Sequence, residues 1–293
     1  MLSVNVPISS GNHPEIGIDC VIDCRTRVKF ILMENTNKMD ISEKQQREIE
    51  FYRESPIENP YQFTIDNLIN KMSSAKSLLE NLVRYKQLFE NKQAILELGG
   101  GQGWASCIVQ SYFPNALHVI NSDISKYALQ STCMWNSLFN SIFKVNINKL
   151  VCKAYEIPLK EASVDLVFTF EAAHHFLKHK STLKEIYRIL AKGGCCLYLH
   201  EFSCNKFFYP FAYKRSNKKR SIDKVIDKVS EDVLIYRNIL KLAKDVGFTA
   251  LANYDPSIVN RSPEATVYYF ILNKISFLKH ILPCTRDYIF IKP

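Results

Sequence analysis

A cluster of glycines at positions 99–103 is the first feature of the sequence whose residue types and spacing suit ligand binding. The chain has only nine glycines, yet Gly99, Gly100, Gly101 and Gly103 lie within this short segment. Glycine lets the backbone turn sharply and lets a ligand lie directly against main-chain atoms. Glu97 precedes the run, so the full pattern is E-x-G-x-G-x-G. We expect these five residues to form a ligand-binding loop.

The spacing within this loop narrows the class of ligand. A dinucleotide loop of the form G-x-G-x-x-G, counted from Gly99, needs a glycine at position 104, where Trp104 stands. A P-loop needs a lysine after its last glycine, and no lysine follows Gly103. Asp123 comes twenty residues after Gly103, at the end of the second predicted strand, where a carboxylate accepts hydrogen bonds from both hydroxyls of a ribose. A tight structural turn is the alternative explanation of the glycines, and the correctly spaced acid disfavours it.

These residues require a framework of alternating strands and helices. Short apolar runs predict seven strands, at 94–98, 118–121, 150–153, 164–170, 195–200, 249–254 and 288–292. Helical patterns lie between them, at 104–112, 126–140 and 180–190, and a further helix is predicted to begin at a Ser230 cap and to close with Lys244 and Gly247. This alternation indicates a doubly wound, mostly parallel sheet with helices on both faces. Ligands of such sheets bind at the carboxyl ends of the strands.

Three regions are predicted along the chain. Residues 1–38 show no clear period and are expected to be a poorly ordered N-terminal extension. Residues 39–93 are predicted to form a helical cap region, divided by the Ser55-Pro56 and Asn59-Pro60 breaks. Residues 94–293 are predicted to form the α/β domain, with a basic and aromatic insertion at about 204–229.

Composition excludes several classes of protein. Hydrophobic residues make up 47% and charged residues 23% of the chain, which is typical of a folded globular protein. The net charge of +9 allows an anionic partner without demonstrating one. No segment reaches the ~18 uninterrupted apolar residues of a membrane span, because the best candidate, 267–282, contains Lys274 and Lys279. The N-terminus also lacks the basic start and apolar stretch of a secretion signal.

The cysteines predict a compartment and argue against a metal site. Their number, nine, is odd, and most of them lie inside apolar runs. Buried free thiols in a reducing cytoplasm are therefore expected rather than a disulfide framework. Cys20 and Cys24 are spaced like half of a zinc site, but no second pair follows at a fitting distance, so no metal is predicted.

Taken with four further segments, the glycine loop and its acid resemble the class I S-adenosylmethionine-dependent methyltransferases. The resemblance covers about residues 94–253 and implies a Rossmann-like sheet and S-adenosyl-L-methionine as cofactor. The four segments are Ala154-Tyr155-Glu156-Ile157-Pro158-Leu159 after the third strand, Ser163-Val164-Asp165-Leu166-Val167 at the fourth strand, His174-His175-Phe176, and Arg188-Ile189-Leu190-Ala191-Lys192-Gly193-Gly194.

The resemblance also implies roles for individual residues. The loop would contact the methionine part of the cofactor, Asp123 would bind the ribose, and the segment at Ala154 would lie near the adenine. The chain departs from many relatives at Lys153, where they carry an acid that meets the adenine amine, so Tyr155 is expected to stack on or edge the adenine instead. The predicted cofactor-binding residues are Glu97, Gly99, Gly100, Gly101, Gly103, Asp123, Ile124, Ala154, Tyr155 and Glu171.

Two histidines after the fourth strand are the predicted catalytic residues. The activated methyl group of the cofactor transfers by in-line displacement, and positioning alone can supply much of the rate. If the acceptor is a hydroxyl, either His174 or His175 is placed to remove its proton. A packing or capping role is the alternative for both. His200 and Glu201, at the end of the fifth strand, are candidates for binding the acceptor.

The insertion near residue 204 bears on the choice of acceptor. Aromatic residues at 207–213 are followed by lysines and arginines at 214–228. Such a segment suits either a lid over an acidic or phosphorylated small molecule or a surface for nucleic acid, and a solvated basic face is the third reading. The resemblance implies the first of these, a methyltransferase for a small-molecule acceptor such as a secondary metabolite, sugar or lipid precursor. An RNA or protein methyltransferase, or a cofactor-binding protein without turnover, is the alternative.

Overall fold

A computed structural model describes residues 41–61, 63–218 and 232–293. The predicted N-terminal extension, the Ser230 cap and most of the cations of the basic insertion lie outside these residues. Within them, the fold confirms a Rossmann-like, mostly parallel α/β sheet with helices on both faces.

The central sheet has eight strands in the described residues. They are β1 Ala94–Leu98, β2 His118–Asp123, β3 Ile147–Val151, β4 Val164–Phe170, β5 Leu190–Cys204, β6 Leu234–Ile235, β7 Thr249–Tyr254 and β8 Cys284–Ile291. Along the main path the strands run in the order β3-β2-β1-β4-β5-β8-β7, and the short β6 pairs with β5. All neighbouring pairs are parallel except β5–β8 and β7–β8, since β8 runs antiparallel to both neighbours. The chain order reverses between β1 and β4, which is where a doubly wound sheet opens a crevice for its ligand.

The helices cover both faces of the sheet and bury its apolar strands between them. β1 is buried along its whole length, as a strand packed on both faces should be. In the described residues the helices are α1 Glu43–Glu54, α2 Ile65–Arg84, α3 Lys86–Phe89, α4 Trp104–Tyr112, α5 Lys126–Gln130, α6 Thr132–Phe143, α7 His179–Ile189, α8 Tyr209–Lys218, α9 Tyr236–Val246, α10 Pro263–Lys274 and α11 Leu278–Ile281.

Three helices precede the sheet in the described residues, and the first two contact different parts of the domain. Ser42 and Gln45 form a reciprocal capping box that starts α1, and α1 ends at Glu54, immediately before Ser55-Pro56. α2 buries Leu78 and Leu82 in the same core as the central strands. α1 instead contacts α5 and the loop after β2, where Ser125 Oγ donates a hydrogen bond to the carbonyl of Ile49 at 3.4 Å.

Three sequence predictions about the elements need correction. The helix expected from a Ser230 cap begins at Tyr236, and Asp232, placed in its first turn, lies before it in an extended segment that leads into β6. β6 makes the sheet eight-stranded in the described residues rather than seven-stranded, because Leu234 and Ile235 pair with the end of β5. The glycine pair Gly193-Gly194 does not end α7, which stops at Ile189; both glycines lie inside β5.

The C-terminal stretch that was considered only as a membrane span is helical. α10 covers 263–274, starts from a Ser262 cap with Pro263 at its first turn, and is followed by α11. In the part of the chain that the structure describes, no helix is both long and apolar enough to cross a bilayer.

Candidate functional site

Two neighbouring cavities open at the carboxyl ends of the parallel strands. The main cavity, of about 720 Å³, is lined by the ends of β1, β2, β4 and β5, by α1 and by residues 260–261. The side cavity, of about 230 Å³, lies over the glycine loop. The two cavities share four lining residues, Tyr52, Lys71, Gly99 and Glu171. The volume of the main cavity lies in the range of small-molecule and cofactor sites.

The glycine loop adopts a backbone that favours glycine. Gly99, Gly101 and Gly103 have φ angles of 72°, 54° and 81°, in the left-handed region. The loop is tied to β2, since Gly99 and Gly100 N–H both donate to the carbonyl of Ser122, at 2.8 and 2.9 Å. A Cβ on Gly100 would fall 2.2 Å from the side-chain oxygen of Asn121, so no side chain fits there. The loop therefore presents bare backbone to the side cavity.

Gly103 is the one glycine of the loop that lines neither cavity. It is the N-cap of α4, and a Cβ there would lie 2.5 Å from Nδ2 of Asn121 and 3.0 Å from Thr132. Its position is explained by close packing between the loop, β2 and α6.

Asp123 lies at the end of β2, and its carboxylate accepts hydrogen bonds from two neighbouring loops. Oδ2 accepts the N–H of Gly101 at 2.9 Å, and Oδ1 accepts the N–H of Ser125 at 2.8 Å. Burial raises its pKa to about 6, and the hydrogen bonds from these backbone N–H groups oppose that rise. Each oxygen keeps a further lone pair, and the side chain lines the main cavity next to Ile124. This is the arrangement that binding of two sugar hydroxyls requires.

Glu97 is a buried carboxyl beneath the loop. It is 2% exposed, lines the side cavity, and accepts a short hydrogen bond from Ser106 Oγ. Burial raises its pKa to about 8, against the hydrogen bond from Ser106, while the charge of Asp123 adds to the rise. A buried carboxyl of raised pKa gains most from a cation placed beside it, so the side cavity suits an ammonium group.

One face of α1 covers the two cavities. Four side chains of α1, spaced so that they share one face of the helix, line the main cavity. They are Gln45, Glu48, Phe51 and Tyr52. The hydroxyl of Tyr52 lies above the loop, 2.7 Å from the place that a Cβ on Gly101 would take. Burial raises the pKa of Tyr52 well above its usual range, and the carboxylates of Glu58 and Asp123 add to the rise, so the phenol keeps its proton. The sequence analysis did not single out these side chains, although their helix was predicted.

The third-strand loop forms one wall of the main cavity. Ala154 and Tyr155 line the main cavity together with Ile124. The Tyr155 hydroxyl lies 3.4 Å from Oε1 of Gln45 on α1, and the ammonium of Lys178 lies 4.5 Å from the centre of the Tyr155 ring. Lys153, the departure from the family pattern, is buried and does not line the cavity; it pairs with Glu156 at 3.5 Å.

His174 belongs to a histidine–carboxylate pair. Nδ1 of His174 lies 2.8 Å from Oε2 of Glu201, whose other oxygen accepts the N–H groups of Ala172 and Ala173 at 2.9 and 2.7 Å. Burial would raise the pKa of Glu201, but the neighbouring His174 and the two N–H groups lower it overall, so Glu201 is ionised. Because a carboxylate can only accept, the pair places the Nδ1 proton toward Glu201 and the lone pair of the neutral ring on Nε2.

His175 stands beside this pair. The His174 and His175 rings lie 4.2 Å apart, centre to centre, and Nδ1 of His175 is 3.4 Å from Oε1 of Glu48 on α1. Both histidines line the main cavity, as does Glu171 just before them.

A second histidine–carboxylate pair joins His200, inside β5, to Asp255, just after β7. The sequence predicts a strand that ends at His200, whereas β5 continues to Cys204. Nδ1 of His200 is 2.6 Å from Oδ2 of Asp255, and Nε2 is 3.6 Å from Oε1 of Glu171. Burial would lower the pKa of His200, but the hydrogen bond to Asp255 and the charge of Glu171 raise it overall. Glu171 and His200 both have left-handed backbones, with φ of 52° and 59°, and the register of β5 against β8 shifts between Tyr198 and Glu201. Such strain and bulges concentrate at functional sites.

Within the described ranges, no group of three or more His, Cys, Asp or Glu side chains could hold a metal ion. An S-adenosyl compound, by contrast, fits the donor set: bare glycine backbone and a buried carboxyl at one end, and a carboxylate with spare lone pairs at the next strand.

Comparison with known proteins identifies the family. Residues 96–198, from β1 to β5, match the family model described as a methyltransferase domain. These residues form a methyltransferase domain, and their motifs are similar to those of the class I S-adenosylmethionine-dependent enzymes. The cofactor of this methyltransferase is S-adenosyl-L-methionine. No curated protein sequence matches the chain.

Solved structures share the fold of this methyltransferase at low sequence identity. The YcgJ protein of Bacillus subtilis is 16% identical with a TM-score of 0.51, over 74% of this chain and 98% of that one. A methyltransferase in complex with the Trm112 activator of Haloferax volcanii is 15% identical with a TM-score of 0.55, over 76% and 93%. The geranyl diphosphate C-methyltransferase of Streptomyces coelicolor A3(2) is 12% identical with a TM-score of 0.52, over 82% and 86%.

Proposed function

We propose that this methyltransferase transfers the methyl group of S-adenosylmethionine to a small-molecule acceptor bound in the main cavity. The observation that carries the proposal is the shape of this cavity, which extends from Asp123 and Ile124 past His174 to His200 and Thr285. It is large enough to hold an acceptor beside the cofactor and is enclosed by α1 on one side. A secondary metabolite, sugar or lipid precursor is an acceptor of the right size class.

The cofactor occupies the half of the site nearest β1, β2 and β3 in this proposal. Its ribose hydroxyls donate to Asp123, its methionine part lies over Gly99 and Gly101, and its ammonium meets the buried Glu97. Ala154 and Tyr155 border the adenine. S-adenosylmethionine supplies the activated methyl group, and the chain supplies its position and orientation.

The acceptor occupies the half near β4 and β5. His174 is held by Glu201 through Nδ1 and takes the proton of a hydroxyl acceptor on Nε2 in this proposal, and His175 lies beside it. An ionised Glu201 stabilises the imidazolium that results, since an opposite charge favours the charged form of the ring. Positioning of the acceptor by the cavity walls supplies the rest of the rate enhancement.

The test is a transfer assay with cofactor labelled in its methyl group and small-molecule extracts as the source of acceptor. We expect label in a small molecule and expect His174→Ala or His175→Ala to lower turnover by about 10²–10⁴-fold, the usual contribution of general acid–base catalysis. Affinity for S-adenosylhomocysteine should stay unchanged in both variants.

The matched control is His118→Ala, because His118 lies at the start of β2, at the opposite edge of the sheet. Wild-type turnover in both His174→Ala and His175→Ala would refute the role of base. Labelling of RNA or protein in place of small molecules would favour the alternative, in which the basic segment 214–228 binds a macromolecule.

A further inference from the structure

Charged side chains in the main cavity are separated along the edge of the sheet. Asp123 ends β2, and His200 lies inside β5, three strands away. At about 4.8 Å per strand this is a separation of roughly 14 Å. The Asp123 end carries carboxylates, whereas His200 and Arg261 line the other end. A cofactor whose sulfonium and ammonium outnumber its single carboxylate fits the first end, and the second end is left for the acceptor.

His200 is held so that one nitrogen faces the cavity. Its Nδ1 is engaged by Asp255 at 2.6 Å, its backbone N–H donates to Oδ1 of Asp287 at 2.9 Å, and its ring stacks on Phe170 with centres 5.7 Å apart. The side chain is only 9% exposed. Nε2 is the nitrogen that remains toward the cavity, where Glu171 approaches it at 3.6 Å.

Arg261 is fixed by the same loop that supplies Asp255. Its Nε donates to the carbonyl of Ser257 at 2.6 Å, its Nη2 donates to Oγ1 of Thr285 at 3.0 Å, and the guanidinium lies 3.5 Å from the centre of the Tyr269 ring. Ser257 in turn donates its N–H to Asp255 at 3.0 Å. The guanidinium is therefore preorganised, and an anion that binds it does not have to order a flexible side chain.

The deeper charges at this end balance one another. Arg84 lies 3.1 Å from Asp255 and 2.7 Å from Asp287. Burial raises the pKa of Asp287. Burial also acts to raise the pKa of Asp255, but the hydrogen bond and charge of His200, the N–H of Ser257 and the charge of Arg84 together lower it. With His200 protonated, two cations face these two carboxyls. The deeper layer then needs no further counter-ion.

Nearer the cavity, Arg261 and Glu171 are the remaining charges of this end. Glu171 is 44% exposed and lines both cavities, so its carboxylate can reach the glycine loop as well as His200. If Glu171 turns toward the cofactor's ammonium, one positive charge at the acceptor end has no counter-ion. An anionic group on the acceptor would supply it.

We propose that His200 and Arg261 form a subsite that binds an anionic oxygen group of the acceptor, a carboxylate or a phosphate. Glu171 occupies the subsite until the cofactor binds. The proposal rests on the proposed function and narrows its acceptor to an acidic small molecule. Because binding free energies are reciprocal, cofactor and anion strengthen each other's binding through Glu171.

The test measures binding of sodium acetate and of inorganic phosphate to the full chain by calorimetry, with saturating S-adenosylhomocysteine or with adenosine, which lacks the amino group. We expect one of the two anions to bind the S-adenosylhomocysteine complex at least tenfold more tightly than the adenosine complex. Which anion binds distinguishes a carboxylate acceptor from a phosphorylated one. Glu171→Gln should bind the same anion without any cofactor.

Variants at the two cations locate the subsite. His200→Gln and Arg261→Gln should each weaken anion binding by about tenfold or more, the loss of one charge-assisted hydrogen bond. Lys71→Gln is the matched control, because Lys71 lines the same cavity but is paired with Glu58 at 2.9 Å.

If His200→Gln and Arg261→Gln keep the wild-type affinity for S-adenosylhomocysteine, both variants are folded and their cofactor sites are intact. An S-adenosylhomocysteine complex that binds neither anion, or anion binding that is equal in wild type, His200→Gln and Arg261→Gln, would overturn the subsite alone. Failure of S-adenosylhomocysteine itself to bind would overturn the proposed function.

Discussion

Replacement of Asp123 by asparagine tests the ribose contact with the smallest change of shape. In the free protein the carboxylate accepts the N–H groups of Gly101 and Ser125 at 2.9 and 2.8 Å. The amide keeps one acceptor oxygen but places an NH₂ group against the other partner. One charge-assisted bond to a sugar hydroxyl is lost, which costs about 1.5–3 kcal/mol. Affinity for S-adenosylhomocysteine should therefore fall about ten- to a hundredfold.

The assay is isothermal calorimetry, accompanied by thermal unfolding to show that the variant is folded. Asp165→Asn is the matched control, because Asp165 also accepts two backbone N–H groups, those of Gln93 and Ala94, but lies at the start of β4, away from the cavities. Asp165→Asn should lower stability without changing affinity. Equal affinity in wild type and a folded Asp123→Asn would refute the ribose assignment.

Three further predictions concern the same site. The pKa of Asp123 is raised to about 6, and sugar hydroxyls favour the ionised carboxylate. Affinity for adenosine should therefore fall by up to tenfold per pH unit below pH 6 and should be constant above pH 7. In Asp123→Asn the affinity for adenosine should not change with pH over this range. Gly101→Ala should lower both the melting temperature and the affinity for S-adenosylhomocysteine, because the φ of Gly101 is 54° and an added Cβ would lie 2.7 Å from the Tyr52 hydroxyl. Adding Tyr52→Phe to this variant removes the hydroxyl and should restore part of the lost stability and affinity. A double variant that restores neither would contradict the contact. Glu201→Gln should lower turnover with unchanged cofactor affinity. It should also shift the acidic limb of the pH–rate profile, where turnover rises with pH, to lower pH, because the charge that favours protonation of His174 is removed; an unshifted limb would show that His174 is not the base.

The strands near the glycine loop could be predicted because each is an apolar run that ends at a polar or glycine signal. β1 and β4 occupy the residues that the pattern indicates. The spacing of twenty residues from Gly103 to Asp123 already implies that β1 and β2 end at the same edge. Local sequence is sufficient here, since a parallel strand buried on both faces has no polar alternation to confuse it.

β6 and the start of α9 could not be predicted in this way. Asp232 and its neighbours have the composition of a helix N-terminus, but Leu234 and Ile235 pair with the end of β5 instead. A tertiary pairing outweighs a local preference, and the sequence contains no signal for a partner thirty residues away.

The partners of the histidines depend on sheet order in the same way. His200 and Asp255 are 55 positions apart, and only the β5-β8-β7 order brings the end of β5 close to the loop after β7. The sequence identified His200 as a polar residue at a strand end but contained no indication of its carboxylate. Tyr52 likewise needed the packing of α1 over the glycine loop.

A crystal structure of the chain with S-adenosylhomocysteine tests the central claim most directly. The account predicts both ribose hydroxyl oxygens within hydrogen-bond distance of the Asp123 carboxylate, the amino-acid tail on the backbone of Gly99 and Gly101, and the sulfur directed toward His174 and His200. A nucleoside bound elsewhere, or a tail kept off the glycine backbone by the Tyr52 side chain, would contradict it.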